Sequence, residues 1–122
     1  MKRILLAIAF TLFAFPAFAA CDSPMNANSP TVALSCTTTT GSKTYEVGAG
    51  CTGFENSGSV GVFIKSGTST VTATVVTGSA AGETYIAPGK GIVLTHSAAD
   101  THFACITASG TATVYAQTGT GD

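Results

Sequence analysis

The chain has 122 residues and carries little charge, with five Lys or Arg against six Asp or Glu. Beyond residue 19 no arginine remains, and three scattered lysines stand against six acidic residues, which leaves a net charge of −3. A chain without a basic cluster has no electrostatic means of holding a phosphate backbone, so we expect no nucleic-acid partner. Roughly a hundred residues beyond that point suffice for one domain with a modest core.

The N-terminus has the three parts of a secretory signal peptide. Lys2 and Arg3 supply a positive start, residues 4–15 are apolar, and residues 17–19 are Ala-Phe-Ala, a small-x-small cleavage signal. The apolar run is shorter than the ~20 residues that a membrane-spanning helix needs. We therefore predict cleavage after Ala19 and a protein that is secreted, periplasmic or displayed on the cell surface.

A second interpretation of this junction is lipidation. The run Phe18-Ala19-Ala20-Cys21 resembles a bacterial lipobox, in which the cysteine is lipidated and becomes the first residue. Such boxes usually carry Leu three residues before the cysteine, and Phe18 departs from that pattern. Only under this interpretation do we expect the chain to be attached to a membrane.

Four cysteines follow the predicted cleavage site, and an even number can pair completely in an oxidising compartment. Three connectivities are possible. We favour Cys21 with Cys36, which would tie an N-terminal leader to the first strand, and Cys51 with Cys105, which would join an early strand to a late one. Lipidation of Cys21 would leave one thiol unpaired.

The sequence beyond the signal is rich in Thr, Ser, Gly, Ala and Val, and several of its runs alternate with period two. Thr and Val suit a pleated sheet, while the glycines between the runs favour turns. Residues 69–76 show the alternation most clearly, since Val71, Ala73 and Val75 would share one face of a half-buried strand. These patterns predict an all-β fold.

Turn residues divide the chain into eight or nine short strands, which predicts a single antiparallel β-sandwich or jelly-roll-like domain. The predicted regions are a signal peptide over 1–19, a leader over 20–30 and the domain over 31–122. The predicted elements are a strand over 31–40, a turn at Gly41-Ser42, a strand over 43–47, a hairpin of 51–56 with 60–65, a strand over 69–76, strands over 83–87 and 92–96 around the Pro88-Gly89 turn, and a closing hairpin of 102–108 with 111–118 across Ser109-Gly110.

The stretch HSAADTH, residues 96–102, contains both histidines of the chain. His96, Asp100 and His102 could hold a metal, and a small metal-dependent hydrolase built on them is the enzymatic alternative. A structural zinc needs a fourth ligand, and no other histidine exists to supply one. We therefore expect Asp100 to accept backbone N–H groups in a turn and the histidines to lie at strand ends, with no metal, no cofactor and no catalysis.

Three tyrosines are the remaining candidates for a binding site. Tyr45, Tyr85 and Tyr115 could line a sugar-binding face, because each ring presents an apolar body and a polar tip. Tyrosines scattered through strands also serve as half-buried packing residues, so the sequence leaves both roles open.

Two stretches resemble the small virion-surface or decoration-type β proteins encoded among the structural genes of tailed phages. They are TGFENSGSVGVFIKSGTSTVTAT at 52–74 and IAPGKGIVLTHSAADTHFACITASGTATVYAQTG at 86–119, and the resemblance extends over 44–119. It implies a non-catalytic structural role and a scaffold role for residues 96–102. The positions that carry it are Asn56, Gly58, Pro88, Gly89, His102, Gly110 and Tyr115.

Two features depart from that family, because virion proteins of tailed phages normally assemble in the cytoplasm and this chain has an export signal and four cysteines. Together these observations predict an exported structural or surface-binding module that is part of a larger assembly, or displayed on one, such as a virion or a cell-surface filament. The expected partner is a protein assembly, a cell surface or further copies of the chain. A monomeric adhesin or a lipoprotein is the alternative.

Overall fold

A computed structural model describes residues 21, 26–27, 29–46, 50–78 and 83–120 of the chain. The predicted signal peptide lies outside these residues. The described part is all β, with two antiparallel sheets packed as a sandwich, which confirms the predicted fold class. It contains no helix with the length and hydropathy that a bilayer span requires.

The strands of the described residues divide into a five-stranded and a four-stranded sheet. The larger sheet has the order β1-β9-β4-β7, with β2 also paired to β9, and the smaller sheet has the order β3-β8-β5-β6. In chain order the strands are β1 (Asn26–Ala27), β2 (Val32–Cys36), β3 (Gly41–Thr44), β4 (Gly50–Asn56), β5 (Val62–Gly67), β6 (Thr84–Ile86), β7 (Gly91–His96), β8 (His102–Thr107) and β9 (Ala112–Thr120).

Most connections run from one sheet to the other. The two predicted hairpins are therefore wrong: β4 belongs to the larger sheet and β5 to the smaller, and β8 and β9 are divided in the same way. Consecutive strands are usually neighbours, which is why a short turn suggests a hairpin. A short turn can equally carry the chain across the core, and period-two alternation is the same in both cases.

Two local predictions also differ from the structure. Residues 71–76 form no strand, because the segment has no ladder partner. Ala73 is nevertheless buried between exposed neighbours, and its N–H donates to the Thr40 hydroxyl at 3.0 Å. The turn predicted at Gly41-Ser42 lies earlier in the chain, because the Thr37 hydroxyl accepts Thr39 N–H at 3.1 Å and bends the threonine run there.

Part of the predicted leader is attached to the larger sheet. β1 pairs with the end of β9. Ser29 is buried, and its hydroxyl donates to Thr118 O at 2.9 Å and accepts Thr118 N–H at 3.0 Å. These bonds replace ladder bonds where the chain enters β2.

The core lies between the inner faces of the two sheets. Burying a large apolar side chain stabilises a fold by about 1.5–3 kcal/mol, so these residues dominate the packing. The largest apolar residues of the core, all fully buried, are Phe54, Phe103, Ile64, Ile86, Val62 and Val114.

The predicted disulfide pairing is wrong, although all four cysteines are paired. Cys21 is bonded to Cys51, and Cys36 is bonded to Cys105. Cys36 on β2 and Cys105 on β8 face each other across the core with Cα atoms 5.5 Å apart, which spacing along the sequence does not reveal. Two disulfides indicate an oxidising environment, extracellular or periplasmic.

Candidate functional site

The stretch 96–102 forms the connection from β7 in the larger sheet to β8 in the smaller. His96 is the last residue of β7 and His102 the first of β8. Asp100 has the turn role predicted for it, since its Oδ2 accepts Ser97 N–H at 3.2 Å and the Ser97 hydroxyl at 3.0 Å. No three potential ligand side chains come together as a metal-binding group within the part of the chain that the structure describes.

The two histidine rings have separate surroundings. His102 lies half-buried with its ring nitrogens 3.0 Å from the hydroxyls of Thr44 and Thr101. His96 is buried and stacks on Tyr45, with ring centroids 3.8 Å apart and the planes nearly parallel. Both ring nitrogens of His96 lack a hydrogen-bond partner among the described residues. Burial lowers the pKa of His96, which favours the neutral imidazole in the folded protein.

This neutral histidine predicts a loss of stability in mild acid. The unfolded chain binds a proton near its ordinary pKa of about 6.5, whereas the folded chain binds it only at lower pH. The free energy of unfolding should therefore fall as pH decreases below about 6.5. His96→Phe keeps a ring on Tyr45, so the urea-unfolding midpoint of this variant should fall less than that of wild type as pH decreases below about 6.5.

Carboxylates titrate at lower pH than histidine, so their contribution to the pH dependence of stability can be separated from that of His96. Hydrogen bonds from Thr74 and Lys65 hold the pKa of Glu83 below its usual 4.5, and the stability this provides is lost only as pH falls below that value. His102→Gln is the control, because it leaves the His96 stack intact and should keep the wild-type slope. A His96→Phe profile as steep as that of wild type between the ordinary pKa values of histidine and glutamate would contradict the assignment.

The outer face of the larger sheet carries an open groove of about 600 Å³, which we call the sheet groove. Its floor is low because Gly53 on β4 and Gly91 on β7 have no side chain. In the strand register Gly53 lies between Gln117 of β9 and Val93 of β7. A row of small residues between larger ones leaves a trough along the sheet.

Aromatic and polar groups border this trough. Tyr115 lies opposite Glu55 in the register and is 42% exposed, as is Val93 on the other side. The Gln117 amide donates to Ser29 O at 3.2 Å, which fixes its orientation. Glu55 is exposed. The groove thus combines an aromatic face, an aliphatic wall and hydrogen-bonding groups, which suits recognition of a surface or a ligand by contact.

The three tyrosines do not share one face. Tyr45 is buried in the core and its hydroxyl lies 2.6 Å from that of Ser66. Tyr85 lies on β6 of the smaller sheet against Phe63, with ring centroids 5.2 Å apart. Only Tyr115 borders the sheet groove. The sequence contains Gly53 and Gly91, but their position beside Tyr115 follows from strand register, which the sequence does not reveal.

Comparison of the chain with models of protein families, with curated proteins and with solved structures finds no match. Function is therefore inferred from the groove and from the connection at 96–102.

Proposed function

We propose that the protein is an exported, non-catalytic structural or surface-binding module that belongs to a larger assembly or is displayed on one, such as a virion or a cell-surface filament. The observation that carries the proposal is the open groove on the larger sheet, with Tyr115 exposed in the middle of a strand that is paired on both sides. Aromatic side chains on rigid elements provide large contact area at low cost in conformational entropy.

Export without lipid is the second part of the proposal. The signal-like N-terminus and the two disulfides both favour an oxidising destination. The Cys21 sulfur bonds to Cys51, and the same atom would have to carry the lipid of a lipoprotein. We expect the intact mass of the exported protein to begin at Ala20 with four cysteines oxidised. A mass that begins at a diacylated Cys21 would contradict this.

The residues behind the phage resemblance support a scaffold role for those positions. Asn56 Oδ1 accepts Gly58 N–H at 2.9 Å, which closes a tight turn. Gly89 and Gly110 have φ values of 65° and 67°, which favour glycine. The shared motif is therefore largely turn chemistry, in keeping with a rigid module that presents its sheets to a partner.

The test is size exclusion with light scattering, followed by electron microscopy of the exported fraction. We expect oligomers or decorated particles, and we expect Tyr115→Ala to weaken the association by about tenfold, as truncation of a central aromatic residue does. Tyr85→Ala on the smaller sheet is the matched control and should have little effect. A monomer with hydrolytic activity that His102→Ala abolishes would overturn the proposal.

A monomeric adhesin that binds glycans is the second candidate. It is favoured by the combination of the Tyr115 ring with the Glu55 carboxylate and the Gln117 amide, since sugars stack on aromatic faces and bond to such groups. A glycan array probed with wild type and Tyr115→Ala separates the candidates. Specific binding by a strict monomer would favour the adhesin over the assembly.

A further inference from the structure

The larger sheet ends at β7, and among the described residues no strand pairs with its outer side. Asn56 N–H donates to Lys90 O at 2.9 Å. Because residues of an antiparallel ladder alternate in direction, the even-numbered residues of β7 direct their backbone N–H and C=O groups at β4, and the odd-numbered residues direct theirs at the free side. The free groups belong to Gly91, Val93 and Thr95.

Among the described residues, β7 itself has none of the features that normally protect an edge strand. Proteins guard exposed edges with short strands, charges, proline or bulges. β7 is six residues long, and its sequence GIVLTH contains no Lys, Asp, Glu or Pro. Val93 is a large hydrophobic residue exposed in its middle. A long, uncharged edge of this kind is a template for another strand.

The other edges of the two sheets differ. β3 has four residues and includes Lys43, and β6 has only three residues. β2 is uncharged, but it exposes no large hydrophobic side chain and contacts β3 at the corner of the sandwich. β7 is therefore the edge that best fits strand addition.

We propose that β7 pairs antiparallel with β7 of a second copy of the chain, about a two-fold axis at Val93, so that two larger sheets become one. In this register Val93 lies opposite the partner's Val93, and Gly91 lies opposite the partner's Thr95. Each of these pairs exchanges two backbone hydrogen bonds, because all of these residues direct their backbone groups outward. The strand is thus complementary to itself, as a two-fold interface requires.

The ends of the strand add charge complementarity. Lys90 precedes β7 and is exposed, whereas Asp100 lies in the turn that follows it and folds back onto Ser97. The two-fold register brings Lys90 beside the partner's His96 and hence close to the partner's Asp100. Opposite charges meet at both ends of the paired strands, which favours two β7 strands over an unrelated strand.

The inference rests on the proposed function, since it names the partner of a module that acts by contact. Sedimentation velocity of the oxidised protein over a range of concentrations should show a monomer–dimer equilibrium. Val93→Pro removes an N–H that faces the free side and breaks no backbone bond to β4, so it should raise the dissociation constant by about tenfold or more with thermal unfolding nearly unchanged. Lys90→Glu should weaken the dimer as well, because the like charges then repel.

Two controls make the result decisive. Thr111→Lys, an exposed change away from β7, should leave the dimer unchanged, and Val93→Thr should retain it because threonine keeps the strand donor. A wild type that stays monomeric at all concentrations, or a dimer that Val93→Pro does not weaken, would overturn strand pairing. Either result leaves the proposed function intact if the protein still decorates an assembly, whereas hydrolytic turnover would remove the proposed function itself.

Discussion

Replacing Asn56 with alanine should lower the free energy of unfolding by about 3–5 kcal/mol, because several buried polar groups lose their partners together. The Asn56 side chain is fully buried at the end of β4. Its amide donates to Val60 O at 2.8 Å and to Ile86 O at 3.1 Å, and its Oδ1 accepts Gly58 N–H. One side chain thus joins both sheets and the turn between them.

Urea unfolding of matched variants tests this role. Asn56→Asp keeps the acceptor for Gly58 but loses both amide donors and adds a buried charge, so it should destabilise at least as much as alanine. Ser57→Ala is the control: its exposed hydroxyl donates to Thr113 O, and its loss should cost less than about 1 kcal/mol. A loss below about 1 kcal/mol for Asn56→Ala would contradict the account.

Removing the disulfide between Cys36 and Cys105 should be the more damaging of the two disulfide deletions. It closes a sequence separation of 69 residues, for which chain entropy gives roughly 4.4 kcal/mol. The corresponding value for Cys21 with Cys51, separated by 30 residues, is about 3.6 kcal/mol. Cys36 and Cys105 are also fully buried, so replacing both with alanine leaves a cavity between the sheets.

The comparison uses two double-alanine variants, one for each disulfide. We expect both to unfold at lower urea concentration than wild type, and the variant without Cys36 and Cys105 at the lowest. Non-reducing peptide mapping of wild type provides the control for connectivity. Recovery of a peptide that links Cys36 to Cys51 would contradict the pairing in the structure, and a greater loss on removing the Cys21 disulfide would contradict the predicted order of the two deletions.

The fold class was predictable because it depends on local preferences. Thr- and Val-rich runs with period two, separated by glycines, have few alternatives to strands. Turn chemistry was also local: Asn56 with Gly58, and Gly89 after Pro88, form turns as predicted, and Asp100 accepts the N–H expected of it. These features involve residues only a few positions apart.

The arrangement of the strands was not predictable in the same way. A turn such as 57–61 has similar residues whether it closes a hairpin or crosses the core, so the pairing of β4 with β7 and β9 depends on tertiary packing. Cysteine pairing follows that arrangement, since Cys36 meets Cys105 only after their strands face each other. The sheet groove depends on the register of three strands, which alternation alone does not specify.

The most direct test is hydrogen–deuterium exchange of the purified protein, first as a dilute monomer and then in the proposed assembly. We predict new protection at Gly91, Val93 and Thr95, whose backbone groups point away from β4, and around the groove at Tyr115. Residues of β3 and β6 in the smaller sheet should exchange equally in both states. Protection confined to the smaller sheet, with β7 unchanged, would contradict a module that works by contact through its larger sheet.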